Sequence, residues 1–372
     1  MKNTFGNNLT VTIFGESHGS ALGIVIDGIA PGIPVDDAII AGYLARRRPS
    51  SPTDTARREK DEYQILSGVF NGRTTGTALA IMIPNTDTRS KDYEYGPARP
   101  SHADYAAYCK YHGYEDYRGG GHFSGRITAA LVAAGGILLP ALRAKGIHIG
   151  THIASCGSAR DVSFAEAGNG SDPDAALNAV IDSLQKKMFP VIDDAAADAV
   201  TAEILAAGSR NDSIGGVTET AVTGIPAGVG EPWFDSVESM ISHAVFSIGA
   251  IKGIEFGDGW DMASGMHGSE ANDAMRIEGG QVRTVTNHNG GINGGITNGM
   301  PVAFKCAVKP TPSIAQPQDT VNFLTGENTE LTIKGRHDPA IIRRICPVID
   351  SVTAIVVADM LAGRYGTDWL AM

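Results

Sequence analysis

The sequence has no C-x-x-C pair. Its four cysteines, Cys109, Cys156, Cys306 and Cys346, stand far apart, which signals neither a disulfide framework nor a cysteine zinc site and fits a reducing compartment. No H-E-x-x-H occurs among the ten histidines, so that zinc hydrolase signature is missing and no metal is expected. No Gly-Lys dipeptide occurs, which excludes a Walker loop. The glycine-rich stretch Gly119-Gly120-Gly121-His122-Phe123-Ser124-Gly125 also misses the dinucleotide-binding spacing, because Ser124 stands where the last glycine belongs. Positive charge is in deficit: a formal net charge of -11 argues against nucleic acid or an anionic membrane as partner. Long apolar runs are lacking too. The longest, Ile127 to Leu142, is interrupted by Thr128, Gly135, Gly136 and Pro140, falls short of the roughly 20 residues of a membrane span, and reads as a buried helix. Met1 to Leu9 has no apolar secretory stretch, so a cytoplasmic location is expected.

What is present is an ordinary globular composition, 42 % hydrophobic and 19 % charged over 372 residues, with length for a sizeable core. Glycine is the outlier, 46 of 372, about 12 % against a usual ~7 %. The glycines cluster at Gly119 to Gly121 and Gly290 to Gly295, a distribution that favours binding loops. Six of the 30 basic residues, Arg46, Arg47, Arg48, Arg57, Arg58 and Lys60, share a short window where an even spread gives about one. Any one of them could serve a helix dipole. In an acidic chain the cluster suggests phosphate or carboxylate binding, since arginine offers a bidentate fork to both.

Leu9 to Phe14 and Ala21 to Asp27 read as strands. Asp36 and Asp37 then open a helix that ends at Arg46-Arg47-Arg48-Pro49. Thr77 to Ile83, Val217 to Ile225, Val302 to Lys309 and Glu330 to Lys334 read as further strands. Helices are expected at Ser101 to Tyr111, Ser124 to Lys145, Asp174 to Met188, Asp193 to Ala207 and Asp235 to Ile251. The last carries an apolar stripe of core type at Val237, Met240, Ile241, Ala244, Val245 and Ile248. Asp338-Pro339 reads as an N-cap followed by proline at the first helical position, with a break expected at Pro347 before Val348 to Leu361. The irregular alternation lacks βαβ spacing and predicts antiparallel pairing in a mixed layered α+β fold. Asp161 to Asp174 is the only linker-like stretch, and no domain boundary is evident.

Gly15-Glu16-Ser17-His18-Gly19 matches G-x-S-x-G, the nucleophile elbow of hydrolases. An elbow turns a strand into a helix, whereas Ala21 to Asp27 reads as a second strand, and 14 preceding residues leave no room for an oxyanion loop. The histidine is more informative, because an imidazole titrates near neutral pH and can protonate a leaving group. His102, in Arg99-Pro100-Ser101-His102-Ala103-Asp104, has the same potential. Taken singly, each is more often structural, and Asp338 is already explained by the helix it opens. A serine hydrolase on Ser17 and a non-catalytic binder of phosphorylated metabolites stay open at this level.

Three separated motifs together resemble chorismate synthase: Gly15-Glu16-Ser17-His18-Gly19 continuing through Ala21 to Gly28, Gly120-Gly121-His122-Phe123-Ser124-Gly125-Arg126, and Lys334-Gly335-Arg336-His337-Asp338-Pro339. Family-like pieces lie between them in order, among them Arg46-Arg47-Arg48-Pro49, Asp116-Tyr117-Arg118 and Lys309-Pro310-Thr311-Pro312-Ser313-Ile314. The resemblance runs over nearly the whole chain. It implies a single-domain β-α-β sandwich of antiparallel sheets around helices over residues 1–372, assembled as a homotetramer. The implied activity is conversion of 5-enolpyruvylshikimate 3-phosphate to chorismate by anti-1,4 elimination of phosphate, with reduced FMN required and NADPH as one candidate reductant.

By the same resemblance His18 lies beside the substrate phosphate, His102 near flavin N1, and Asp338 works with flavin N5 in removing the C6 proton. Arg47, Arg48 and Arg126 would hold the anionic substrate. His122, Phe123, Ser124, Gly249, Ala250, Gly294, Lys309, Pro310, Thr311, Pro312, Ser313 and Arg336 would contact the flavin. The chain departs from the common pattern in His122-Phe123-Ser124-Gly125-Arg126, where many members read Arg-Ser-Ser-Ala-Arg, so a permanent charge gives way to one that titrates. Thr53 replaces a further arginine, and Gly249 a frequent asparagine.

Overall fold

The computed structural model describes residues 2–51, 53–54, 59–88, 93–168, 172–333 and 338–372. Two five-stranded sheets organise it. Strands of the first run in the order Thr4–Phe5, Thr10–Gly15, Ala21–Asp27, Leu79–Pro84, Gln64–Ser67. The second runs Ile251–Phe256, Val302–Val308, Gly216–Thr223, His148–Cys156, Ala159–Arg160. Every ladder among the described residues is antiparallel, as the irregular spacing of elements predicts, and the class is α+β.

Period-two patterning sets the inner face of the first sheet. Leu22, Ile24 and Ile26 on one strand and Leu79, Ile81 and Ile83 on its neighbour are fully buried and point to one side. Both strands meet the helix Thr128–Ala144, which also touches His148–Cys156 of the second sheet and packs along the helices Asp37–Arg47 and Ile342–Tyr365. Glycine makes that approach possible. A Cβ on Gly135 would overlap Ser351 of the long helix, and one on Gly136 would come within 2.8 Å of the Ile40 Cα. The helices Pro173–Leu184 and Asp194–Ser209 pack against the His148–Cys156 strand.

Asp36 caps its helix as expected, accepting the N–H groups of Ala38 and Ile39. The Asp235 to Ile251 helix is shorter than its stripe suggests: it spans Val237–Val245 and gives way to the strand Ile251–Phe256. No break occurs at Pro347, and the helix Ile342–Tyr365 runs through it. In the second turn the missing proline N–H deprives only the Arg343 carbonyl of a partner, and burial on both sides of the helix outweighs that loss. Two helical stretches, Gly125–Ala144 and Ile342–Tyr365, are in fact long and apolar enough to cross a bilayer, but their most apolar 18-residue windows are 72 % and 89 % buried inside the protein, so they serve as core helices.

Candidate active site

The turn between Thr10–Gly15 and Ala21–Asp27 carries His18, the segment before the helix Asp104–Tyr111 carries His102, and Asp338 precedes the long helix. All three line one cavity of about 910 Å³. Arg47, Arg126, His122, Phe123, Ser124, Gly249, Ala250, Lys309, Thr311, Pro312 and Ser313 line it as well. Arg48, Pro310 and Gly294 do not. Arg48 donates to the Lys60 carbonyl and borders a separate hollow of about 580 Å³, while Gly294 occupies a left-handed turn position beside the strand Ile292–Asn293. Arg336 lies outside the described residues, with Lys334, Gly335, His337, Arg57 and Arg58.

The glycine run 119–121 is left-handed throughout, with φ of 60°, 85° and 52°, and it backs both histidines. A Cβ on Gly119 would overlap the His18 ring, and one on Gly120 would lie 3.1 Å from His102. Gly121 accepts the Ser17 N–H at 3.0 Å. Ser17 is fully buried with its Oγ 3.3 Å from His18 Nδ1, in a turn joining two antiparallel strands. That geometry removes the hydrolase elbow, which needs an exposed serine between strand and helix. The Tyr93 ring meets His18 edge-on at 5.2 Å.

His102 Nδ1 lies 2.7 Å from Asp104 Oδ1. The same carboxylate accepts the Arg99 backbone N–H, Nε and Nη2 at 2.9, 2.8 and 2.6 Å. Burial pushes the Asp104 acid up, but His102 and Arg99 more than reverse this and hold it well below the usual carboxylate range. His122 Nδ1 donates to the Gly15 carbonyl at 2.8 Å; the carbonyl can only accept, so the proton on Nδ1 is fixed and Nε2 is the nitrogen left for a ligand.

Arg47 and Arg126 converge on Asp61, Arg47 Nη2 at 2.8 Å from one carboxylate oxygen and Arg126 Nη1 against the other. Arg126 also donates to Asn85 and to the Pro84 carbonyl. Burial, partly offset by Asp61 and reinforced by nearby Arg344 and Arg126, lowers Arg47 to about 10, so it stays charged at neutral pH. Burial raises the Asp61 acid, and the two arginines overturn that and leave it lowered.

Asp338 is not the N-cap its sequence context suggests. The helix begins at Ile342 with Ile341 at its cap. Arg344 Nη1 instead donates to both Asp338 oxygens at 2.7 Å and its Nε to the Arg47 carbonyl at 2.9 Å. A guanidinium, rather than helix amides, orients this carboxylate. Lys309 links two left-handed non-glycine residues on the wall: its N–H donates to Ala250 (φ 77°) and its Nζ to Ser101 (φ 59°). Desolvation, then Lys252, lowers its pKa.

Asp61, Asp104, Arg344 and Tyr93 escaped sequence reasoning. Asp104 closes a motif already singled out, and its two-residue offset from His102 is the one local signal. Beyond the charged groups, Ile248, Ile345, Val348 and Val352 give the cavity an apolar wall. The cavity can therefore hold anionic groups and an apolar ring system together, with imidazoles and a carboxylate placed to move protons.

The family model described as chorismate synthase matches residues 9–362. Among relatives named chorismate synthase, that of Methanocella arvoryzae is 44 % identical over 362 residues, covering 96 % of this chain and 94 % of its own. That of Aeropyrum pernix is 42 % identical over 372 residues, covering 98 % and 93 %. A crystal structure of chorismate synthase superposes with a TM-score of 0.75 at 27 % identity, covering 98 % of this chain and 94 % of that one. With the family matched over nearly its whole length and its motif histidines gathered on one cavity, this chain belongs to the chorismate synthase family.

Proposed function

We propose that this chain is the lyase of the last step of the shikimate pathway, converting 5-enolpyruvylshikimate 3-phosphate to chorismate and phosphate by an anti-1,4 elimination that depends on reduced FMN. The observation that carries the reading is the convergence of His18, His102 and Asp338 on one cavity with Arg47 and Arg126. The residues present fit a flavin: Lys309, Thr311 and Ser313 suit a phosphate, the apolar wall suits a ring system, and about 910 Å³ is room for a cofactor beside a small substrate. When bound, reduced FMN supplies an electron-rich ring next to the substrate.

The chain's own groups divide the remaining work. Arg47 and Arg126, aligned by Asp61, hold the anionic groups of the substrate, and His18 gives a proton to the departing phosphate. Asp338, oriented by Arg344, receives the proton lost from C6. His102, with Nδ1 engaged by Asp104, would pass a proton to a bound flavin through Nε2. The same reading takes residues 1–372 as one catalytic domain, a β-α-β sandwich with the helices Asp37–Arg47, Thr128–Ala144 and Ile342–Tyr365 between the sheets. It takes the protein as a cytoplasmic homotetramer with no nucleic-acid or membrane partner; the exposed Trp233, Phe234, Trp260, Met275 and Ile277 suit subunit contacts. NADPH is one reductant for its flavin.

An anaerobic assay of phosphate release from 5-enolpyruvylshikimate 3-phosphate tests the reading. Release only with reduced FMN supports it; turnover without flavin, or binding without release, contradicts it.

A further inference from the structure

We propose that Asp104 is a positioning residue for His102, setting which imidazole nitrogen carries the exchangeable proton; this rests on the reading of His102 as a proton donor. An ionised carboxylate only accepts, so its contact at 2.7 Å requires a proton on Nδ1 and leaves Nε2 as the nitrogen that gains or loses one. Among the described residues Nε2 has no hydrogen-bond partner, and His102 lines the cavity. Asp104 is itself held rigidly by three donors of Arg99, and Arg99 lies over the Tyr93 ring, 5.8 Å from its centroid. On the other side Gly120 lets the backbone pass close to the ring, since a Cβ there would sit 3.1 Å from it. The carboxylate holds the imidazole in both orientation and tautomer. A neutral amide at position 104 keeps the shape but can donate as well as accept, and so frees the tautomer.

A double-mutant cycle separates positioning from a general structural role. Asp104→Asn is expected to lower kcat by ~10- to 100-fold, the scale for removing a carboxylate that orients a metal-ligating imidazole, with KM for the substrate little changed. In a His102→Ala background the same substitution is expected to change kcat by less than about 2-fold, because its route of action is gone. Nitrogen-15 NMR of histidine-labelled protein should show His102 protonated at Nδ1 in the natural chain and redistributed toward Nε2–H in Asp104→Asn. Arg99→Met, which leaves the Asp104–His102 bond in place, should keep the tautomer and is the second variant if Asp104→Asn does not fold. Equal losses from Asp104→Asn in both backgrounds, or an unchanged tautomer, overturn the proposal. Full turnover in His102→Ala would instead remove the proton-donor reading of His102, while the tautomer measurement still decides what Asp104 does.

Discussion

His152 and His102 both sit against carboxylates, yet one has both ring nitrogens engaged and the other has one. His152, fully buried on the strand His148–Cys156, has Nδ1 2.8 Å from Asp161 and Nε2 2.8 Å from Glu219. Asp161 also accepts the N–H groups of Ile192 and Asp193, and Glu219 that of Phe164. Burial alone would lower the His152 pKa; the two carboxylates overturn that and raise it. Both nitrogens are committed, so this imidazolium staples the strand to the segments beside it and has no valence left for a substrate. His102 commits one nitrogen and brings the other to a cavity. Being held by an acid does not distinguish a working histidine from a structural one; the number of nitrogens left over does.

The sharpest way to break this contrast is His152→Ala, which strands two buried carboxylates against each other. Unfolding free energy should fall by ~3–5 kcal/mol, the scale for removing one partner of a buried ion pair, while kcat per folded molecule holds; denaturant titration beside turnover checks both. Next comes His18→Ala, for which kcat should fall ~100-fold or more with little change in the unfolding midpoint, whereas near-normal turnover would strip His18 of its role. The smallest effect is in pH. Because the His152 pKa is raised on folding, its contribution to stability is complete below about pH 6.5 and is lost as pH climbs through the raised value. Asp161, lowered by burial-opposing bonds from His152 and the backbone, works the other way, losing its contribution as pH falls below the usual carboxylate range. Unfolding midpoints from pH 5 to 9 should decline toward the alkaline end in the natural chain and stay flatter in His152→Gln.

The same contrast marks where the sequence was legible. The Asp36 cap, the Val237 stripe and the strand Ala21–Asp27 are local features, and each was readable from spacing. The strand His148–Cys156 was not, because Thr151 and His152 are polar residues satisfied inside the protein by Thr220, Asp161 and Glu219, which breaks the apolar alternation that announces a strand. The glycine run 119–121 announced a binding loop but not that it would back two histidines. His18, His102 and Asp338 were visible through motif resemblance, while the groups that orient them came from elsewhere. Asp61 reaches Arg126 across 65 residues, a pairing that leaves no trace in local pattern. Asp338-Pro339 carries a helix-start signal, but the helix begins at Ile342 and an arginine six residues on outcompetes the backbone for the carboxylate.

Turnover and stability measured on the same preparation of His102→Ala test the distinction most directly. With one nitrogen tied and the other working, kcat should drop ~100-fold or more while the thermal midpoint stays within about 2 °C of the natural chain. A midpoint loss as large as that of His152→Ala, or turnover left intact, would contradict the assignment of His102 to chemistry rather than to the fold.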